Sequence, residues 1–342
     1  MTAELPGVDL ARLGGFLARE RPDLARGPLT GEIIPGGRSN LTFVLTDGHQ
    51  EFVLRRPPLG HVLATAHDMA REHRVLAALR GTAVPVPATL LLHPDPELLG
   101  APFYLMEKVD GTVYRTAEQT AALPADQRTR LTRTLVGTLA ELHRVDPAAV
   151  GLADFGRPEG FLARQVRRWS GQLAASRSRE LPGIERLAEQ LAGSVPASPS
   201  PAIVHGDYRL DNLLVRDDRI AAVLDWEMST LGDPLTDLGL LLVYWDRLPE
   251  LDNPVVQGVG RVHGFPAGGT LAQWYAQATG ADLSELDWYV ALAGFKLAVI
   301  LEGIHYRYVH RLTVGDGFEQ VGSMVPPLVE IGLAALARTR RS

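Results

Sequence analysis

The chain of 342 residues lacks cysteine and lacks any long apolar run. Without cysteine it can form neither disulfides nor thiolate metal sites. Cysteine usage therefore does not indicate whether the protein works in an oxidising or a reducing compartment. The most apolar segment, Leu235 to Trp245, is too short to cross a membrane and contains Asp237. The N-terminus has early acidic residues and no basic flank before an apolar core, unlike a signal peptide. We therefore expect a soluble, cytoplasmic protein with no membrane partner.

An excess of basic residues is also missing. The sequence has 34 Lys and Arg against 40 Asp and Glu, a net charge of −6. This balance gives no support to a nucleic acid partner. With 46% hydrophobic residues, the chain can bury one large core or the cores of two lobes.

Two neighbouring motifs carry the chemistry. His205-Gly206-Asp207 is followed by Asn212, and the apolar segment AAVLD ends at Asp225. Phosphoryl transfer from ATP needs one carboxylate to accept the hydroxyl proton, a second to hold Mg²⁺ and an amide to hold the other metal ion. An H-x-D-x-x-x-x-N loop between short strands, with Asp ending the next strand, supplies all three. We predict a phosphotransferase with Asp207 as catalytic base, Asn212 and Asp225 as Mg²⁺ ligands, and His205 orienting the backbone.

The order of elements indicates two lobes. A strand-like pattern from Gly31 to Pro57, with a hairpin turn at Thr46-Asp47-Gly48, precedes a predicted helix at residues 67–80 and two further strands. This β-β-β-α-β-β order is that of a kinase small lobe, and the pattern after Gly111 is mainly helical. We expect an α+β, protein-kinase-like fold with a small antiparallel sheet and one helix in the first lobe. The expected boundaries are 1–107 for the nucleotide-binding lobe, 108–111 for the hinge and 112–342 for the helical lobe with the acceptor site.

A glycine-rich loop joins the first two predicted strands, where backbone N–H groups can cradle phosphate. At the far end of the sheet, the hinge would recognise adenine through backbone groups. The residues predicted to bind the nucleotide in these two places are Gly36, Gly37, Ser39, Asn40, Glu107 and Val109.

The third predicted strand has arginine where kinases have lysine. It reads FVLRR, and period-two alternation places Arg55 on the nucleotide face. Arginine keeps the positive charge but is bulkier than lysine. Glu72 on the following helix is the predicted ion-pair partner, and a solvated surface pair is the alternative. Glu227 either assists the metal or lies on the surface.

Together these motifs resemble the aminoglycoside phosphotransferase / choline kinase family from Gly36 to about Arg311. A narrower similarity, in GGRSNLTFVL, GAPFYLMEKVDG and FKLAVILEGIHYRY, is to the kinase-like N-terminal domain of some acyl-CoA dehydrogenase proteins. The resemblance implies the same roles for Asp207, Asn212 and Asp225, and ATP or GTP as donor. The narrower subgroup often has arginine at the position of Arg55.

The acceptor is expected to be a small molecule. Gly206 replaces the arginine that senses an activation loop, and the seven residues between Asp225 and Asp233 leave no room for such a loop. We interpret Asp233 as a helix cap and Asp237 as a brace of the catalytic loop. The segment from Pro249 to Gly269 is long enough to predict a lid.

Two predicted helices contain the residues that bear on the identity of the acceptor. One contains Arg164, Arg167, Arg168 and Trp169, and the other Lys296, Glu302, His305, Tyr306 and Arg307. If these residues face the cleft, they suit an anionic acceptor; otherwise they are solvated faces. The resemblance to acyl-CoA dehydrogenase proteins points to a hydroxyacyl-CoA. The alternatives are an aminoglycoside or macrolide kinase and a nucleotide-binding pseudokinase.

Overall fold

The computed structural model describes residues 5–34, 40–59, 68–198, 200–248, 264–312 and 318–339. Three predicted phosphate-binding residues, Gly36, Gly37 and Ser39, lie outside these ranges, as does most of the predicted lid. The chain forms two compact units, Met1–Gly111 with Ala221–Ser229, and Thr112–Ile220 with Thr230–Ser342. The segment that carries Asp225 therefore belongs with the N-terminal unit, whereas the expected boundaries placed it in the helical one.

The first unit is built on an antiparallel sheet with strand order β1-β2-β3-β5-β4. Phe43, Leu54 and Leu105 lie opposite one another on adjacent strands and are fully buried on one face. Alternation places Arg55 on the other face. The elements of this unit are α1 (Leu10–Glu20), β1 (Thr30–Ile33), β2 (Leu41–Thr46), β3 (Glu51–Arg56), α2 (Met69–Leu79), β4 (Thr89–His93) and β5 (Phe103–Glu107).

Helix α1 corrects the expectation of a single helix in this unit. Asp9 caps the helix by accepting the backbone N–H of Arg12 at 2.9 Å. Leu13 and Leu17 are fully buried in the same core as Phe103. The spacing of these leucines is helical, so the sequence does contain a signal for α1.

The second unit is mainly helical. Its longest helix, α9, packs against α5, α7 and α10, and most of its residues are buried. Strand β6 pairs with β9 in antiparallel register. The elements from Thr112 onward are α3 (Ala117–Ala121), α4 (Ala125–Arg144), α5 (Phe161–Ser176), α6 (Ile184–Gly193), β6 (Ala202–Val204), β7 (Leu213–Arg216), β8 (Arg219–Val223), β9 (Thr230–Gly232), α7 (Leu235–Leu242), α8 (Gly268–Thr279), α9 (Leu286–Val309) and α10 (Val325–Thr339).

Helix α7 ends at Leu242 and the chain continues as a π-helical turn, Val243–Arg247. Its N-terminus is capped as predicted, because the carboxylate of Asp233 accepts the backbone N–H of Leu235 at 3.0 Å. The wider π-turn changes the direction of the side chains that follow α7, and such turns are frequent at functional sites.

Two helical segments, Leu286–Val309 and Val321–Arg338, are long and apolar enough to cross a membrane by length and composition. Neither segment was predicted from the sequence to span a membrane. Most of the first segment and half of the second are buried within the structure. Core helices of soluble proteins show the same pattern, so this is weak evidence for a membrane span.

Truncating Leu13 tests whether α1 belongs to the core. Leu13→Ala should lower the free energy of unfolding by about 3 kcal/mol, because it leaves a cavity at a fully buried site. Urea denaturation measures the loss. The control is Glu20→Ala at the exposed end of α1, which should change stability by less than about 0.5 kcal/mol. Equal effects of the two substitutions would contradict the packing of α1.

Candidate active site

Arg55 and Glu72 form the predicted ion pair in the first unit. The Nε atom of Arg55 on β3 lies 2.8 Å from Oε2 of Glu72 on α2. The Glu72 side chain is only 2% exposed and that of Arg55 12%, so the pair is not solvated. A Nη2 atom of Arg55 also contacts the carboxylate of Asp225. One guanidinium thus joins two acids that lie far apart in the sequence.

Glu72 has two further donors. The hydroxyl of Tyr104 donates to Oε2 at 2.9 Å, and the amide of Asn40 donates to Oε1 at 2.8 Å. Burial raises the pKa of Glu72, and the positive charge of Arg55 opposes this shift. Burial alone would lower the pKa of Arg55, but the surrounding negative charges, Glu72 first, outweigh it and raise that pKa. The Arg55 side chain therefore stays charged.

Asn40 is the one predicted loop residue that the structure describes. Its side-chain amide lies between two carboxylates, 2.8 Å from Oε1 of Glu72 and 3.2 Å from Oε2 of Glu227. A phosphate contact by Asn40 would therefore use its backbone N–H. Glu227, for which the sequence left two interpretations open, is linked through Asn40 to the start of β2.

Asp225 has a left-handed backbone with φ of +63°. A non-glycine residue in this region costs about 1 kcal/mol or more and commonly marks a functional position. Further contacts, besides that between Asn40 and Glu227, hold the segment Ala221–Ser229 in the first unit. Arg55 pairs with Asp225, Val223 N–H donates to the carbonyl of Pro85 at 2.8 Å, and Arg71 donates to the carbonyl of Ser229 at 3.1 Å.

The predicted hinge lies at the end of β5. The backbone N–H of Glu107 donates to the carbonyl of Ala88 at 2.8 Å, so a backbone contact of Glu107 with adenine would use its carbonyl. Val109 is half-buried and Met106 is buried. Recognition of adenine at Glu107 and Val109 stays a prediction.

In the second unit, Asp207 and Asn212 lie together after β6. Asn212 ends a 3₁₀ turn and is 8% exposed. Its Nδ2 atom donates to the backbone carbonyl of Asp207 at 2.9 Å and to Oδ2 at 3.1 Å. This orientation leaves the Oδ1 atom of Asn212 as an oxygen ligand of the kind Mg²⁺ prefers.

Two further side chains reach the Asp207 carboxylate. The hydroxyl of Tyr244, in the π-helical turn, donates to Oδ1 at 3.2 Å. The Nε atom of Arg209 lies 3.5 Å from Oδ2, and its guanidinium stacks 4.8 Å from the centre of the Tyr244 ring. The sequence analysis identified neither residue. Tyr244 lies in the apolar run LLLVYW, where a tyrosine carries no signal that separates it from core residues.

Asp237 braces the backbone of the catalytic loop, as the sequence analysis interpreted it. Its carboxylate accepts the N–H groups of His205 at 2.6 Å and Gly206 at 2.8 Å, and lies 3.2 Å from Nε2 of His143. Burial alone would raise the pKa of Asp237, but these donors and the two histidines outweigh it and lower the pKa. Gly206 has φ of +85°, which glycine adopts without steric cost.

Lys296 on α9 contacts the same loop. Its Nζ atom donates to the carbonyl of Gly206 at 2.6 Å and lies 5.7 Å from the centre of the Trp169 ring. Burial lowers the pKa of Lys296, and the negative charges of Asp207 and Asp237 oppose this shift. Lys296 was predicted on the acceptor side, and it does lie beside the catalytic loop.

Other residues of the two predicted acceptor helices have structural partners. Glu302 is fully buried, pairs with Arg179 at 3.0 Å and accepts the hydroxyl of Ser178 at 2.9 Å. Arg164 donates to the backbone carbonyls of Glu159 and Arg157. The partners of Glu302 and Arg164 lie outside the catalytic loop, whereas the partner of Lys296, Gly206, lies in it.

The sequence matches the phosphotransferase enzyme family over residues 30–288. The chain belongs to this family. Rat acyl-CoA dehydrogenase family member 11 is 35% identical over 342 residues, a match that covers 97% of this chain and 44% of the rat protein. The chain thus spans less than half the length of that relative.

Solved structures confirm the predicted protein-kinase-like fold. A crystal structure from Ralstonia eutropha JMP134, provisionally described as an aminoglycoside phosphotransferase, has a TM-score of 0.84, 32% identity and coverage of 96% of this chain and 98% of its own. The aminoglycoside phosphotransferase APH(4)-Ia, in a ternary complex with AMP-PNP and hygromycin B, has a TM-score of 0.62 at 14% identity, and the match covers 96% of this chain and 98% of that one.

Removing the charge of Arg55 tests the buried ion pair. Arg55→Met leaves Glu72 buried without its cation, which should cost about 3 kcal/mol of unfolding free energy. The double variant Arg55→Met/Glu72→Gln removes both charges and should lose clearly less than the two single losses added together. Urea denaturation of the four proteins measures the coupling. Strictly additive losses would show that the pair contributes nothing.

Replacing Asp237 tests the brace. Asp237→Asn turns an acceptor into a group that also donates, so it cannot satisfy both loop N–H groups, and unfolding free energy should fall by about 2 kcal/mol at pH 7. Because folding lowers the pKa of Asp237, its stabilisation is present above the ordinary value of about 3.9 and is lost as the pH falls below it.

The difference in unfolding free energy between the parent chain and Asp237→Asn should therefore shrink between about pH 5 and pH 3. Denaturation curves at closely spaced pH values measure it. A difference that stays constant over this range would contradict the role of the Asp237 charge.

Proposed function

We propose that this chain transfers the γ-phosphoryl group of ATP to a hydroxyl group of a small molecule. The observation that carries the proposal is the fixed carboxylate of Asp207, which Asn212 and Tyr244 hold by hydrogen bonds while Asp237 braces the loop behind it. A carboxylate held in this way can orient an acceptor hydroxyl and take its proton as the bond to phosphorus forms. Membership of the phosphotransferase enzyme family supports the same reaction.

The first unit would bind the nucleotide. Arg55, kept charged by its acidic neighbours, would contact the phosphates, together with backbone groups of the loop from Gly36 to Asn40. Glu107 and Val109 would contact the base. The relative crystallised with AMP-PNP supports nucleotide binding; GTP is the alternative donor.

Mg²⁺ fits the oxygen donors that are present. Asn212 offers Oδ1 and Asp225 its carboxylate, and both atom types are hard ligands that suit this ion. Among the residues that the structure describes, no group of three His, Cys, Asp or Glu could hold a metal ion. Mg²⁺ in phosphotransferases is commonly held by one or two side chains plus substrate phosphates. When bound, it would neutralise charge on the transferred group.

For the acceptor, we propose a hydroxyacyl-CoA phosphorylated on its acyl-chain hydroxyl. The name of the rat relative connects it with acyl-CoA. Lys296 and Arg209 beside the catalytic loop are cationic, which suits an anionic acceptor. The alternative is an antibiotic kinase, which the relative bound to hygromycin B favours.

ADP release with Mg·ATP across an acceptor panel tests the proposal. The panel contains 3- and 4-hydroxyacyl-CoAs, their non-hydroxylated acyl-CoA counterparts, aminoglycosides, macrolides and choline. We expect turnover with hydroxyacyl-CoAs alone, and its loss by at least about 10²-fold in Asp207→Asn with nucleotide affinity retained. Asp225→Ala should instead abolish Mg²⁺-dependent nucleotide binding, measured by calorimetry. Asp126→Asn, at an exposed site on α4, is the control.

Other results of these experiments lead to different conclusions. Turnover with aminoglycosides or macrolides would replace the acceptor and keep the reaction. Mg·ATP binding without turnover on any acceptor would favour a pseudokinase. A loss of both binding and turnover in Asp207→Asn, together with a lower melting temperature, would make that residue structural.

A further inference from the structure

The two oxygens of the Asp207 carboxylate have different surroundings. Oδ2 faces the amide of Asn212 at 3.1 Å and the guanidinium of Arg209 at 3.5 Å. Oδ1 accepts the hydroxyl of Tyr244 at 3.2 Å, and no other side chain in the described ranges is recorded on this oxygen. One oxygen thus accepts an amide N–H and lies beside a guanidinium, while the other accepts a single O–H group.

An acceptor hydroxyl needs a carboxylate oxygen within about 2.6–3.2 Å to be oriented for transfer. Oδ2 accepts the Asn212 amide and faces the positive charge of Arg209, so Oδ1 is the oxygen that we assign to the acceptor. In the structure, the hydroxyl of Tyr244 donates to Oδ1 and so lies where an acceptor hydroxyl would bind. It is the same chemical group as the one that an acceptor would present.

Tyr244 is well placed to hold this position. The π-helical turn directs its side chain to the catalytic loop, and the guanidinium of Arg209 stacks on its ring at 4.8 Å. Burial and then the negative charge of Asp207 raise the pKa of Tyr244 well above its ordinary value. The phenol therefore stays protonated and donates to Oδ1.

We propose that the Tyr244 hydroxyl occupies the acceptor's place on Asp207 and keeps water off the base until the acceptor displaces it. Tyr244 is in this sense a positioning residue that suppresses ATP hydrolysis. The inference rests on the proposed phosphotransferase activity.

Removing this hydroxyl opens the site to water. In Tyr244→Phe the ring remains, but Oδ1 loses its donor, and an unsatisfied carboxylate oxygen recruits water where there is room. Asp207 would orient that water in the way that it orients an acceptor hydroxyl. Its oxygen would bond to the γ-phosphorus as the bond to the β–γ bridging oxygen breaks, and its proton would pass to Asp207. The products are ADP and inorganic phosphate.

The experiment measures phosphate release from Mg·ATP without any acceptor. Tyr244→Phe should hydrolyse ATP roughly tenfold faster than the parent chain, a small part of the effect that an oriented general base can produce. The added substitution Asp207→Asn should abolish the increase. The matched control is Tyr289→Phe, which also removes a buried tyrosine hydroxyl from a carboxylate, that of Asp233 at 2.8 Å, away from Asp207.

The proposal is overturned if Tyr244→Phe hydrolyses ATP no faster than the parent chain, or if Tyr289→Phe hydrolyses it equally fast. With an acceptor that is turned over, the ratio of free phosphate to phosphorylated product should rise in Tyr244→Phe alone. A parent chain that transfers phosphate while Tyr244→Phe shows no change in this ratio would refute this inference and leave the proposed function standing. A parent chain that neither binds Mg·ATP nor releases ADP would remove both.

Discussion

The buried carboxylate of Asp237 holds the catalytic loop, on which the part of the candidate site in the second unit depends. A charged group that is 1% exposed is unfavourable unless several donors meet it. Here two consecutive backbone N–H groups and His143 do so, and His143 in turn lies 2.7 Å from the hydroxyl of Tyr275. The catalytic loop is thereby tied to α4, α7 and α8. This fixed backbone positions Asp207, and Asn212 and Tyr244 then hold its carboxylate by hydrogen bonds.

In the first unit the largely buried charge is a cation, the guanidinium of Arg55, and its partners are carboxylates. Arg55 pairs directly with Glu72 and Asp225, and the negative charge of Glu227 also acts on it. Three carboxylates around one guanidinium leave a surplus of negative charge. Such a surplus attracts a cation, which agrees with the role proposed for Asp225. The left-handed backbone of Asp225 is retained because the surrounding contacts over-determine it.

Sequence periodicity predicted the elements whose residues repeat regularly. Alternation in β3 placed Arg55 on the nucleotide face, and the kinase pattern of a strand cation with a helix acid predicted Glu72 as its partner. The fixed H-x-D-x-x-x-x-N spacing placed Asn212 beside Asp207. The contact between Arg55 and Asp225 joins residues 170 positions apart, and that between Tyr244 and Asp207 joins residues 37 apart.

No periodicity encodes such pairs. The direction of Tyr244 further depends on a π-helical turn, which the apolar run that contains it does not distinguish from a regular helix. Helix α1 is a different case. Its leucines have helical spacing, so the sequence contained enough information to predict it.

Arginine at position 55 follows from the geometry of its neighbours. A lysine ammonium is a single point charge, whereas a guanidinium presents donors along several edges. The Nε atom of Arg55 lies 2.8 Å from Glu72 and its Nη2 atom contacts Asp225, so the two acids lie at different edges of one guanidinium plane. A lysine at this position would have to share its single nitrogen between both acids and any phosphate oxygen that it bound.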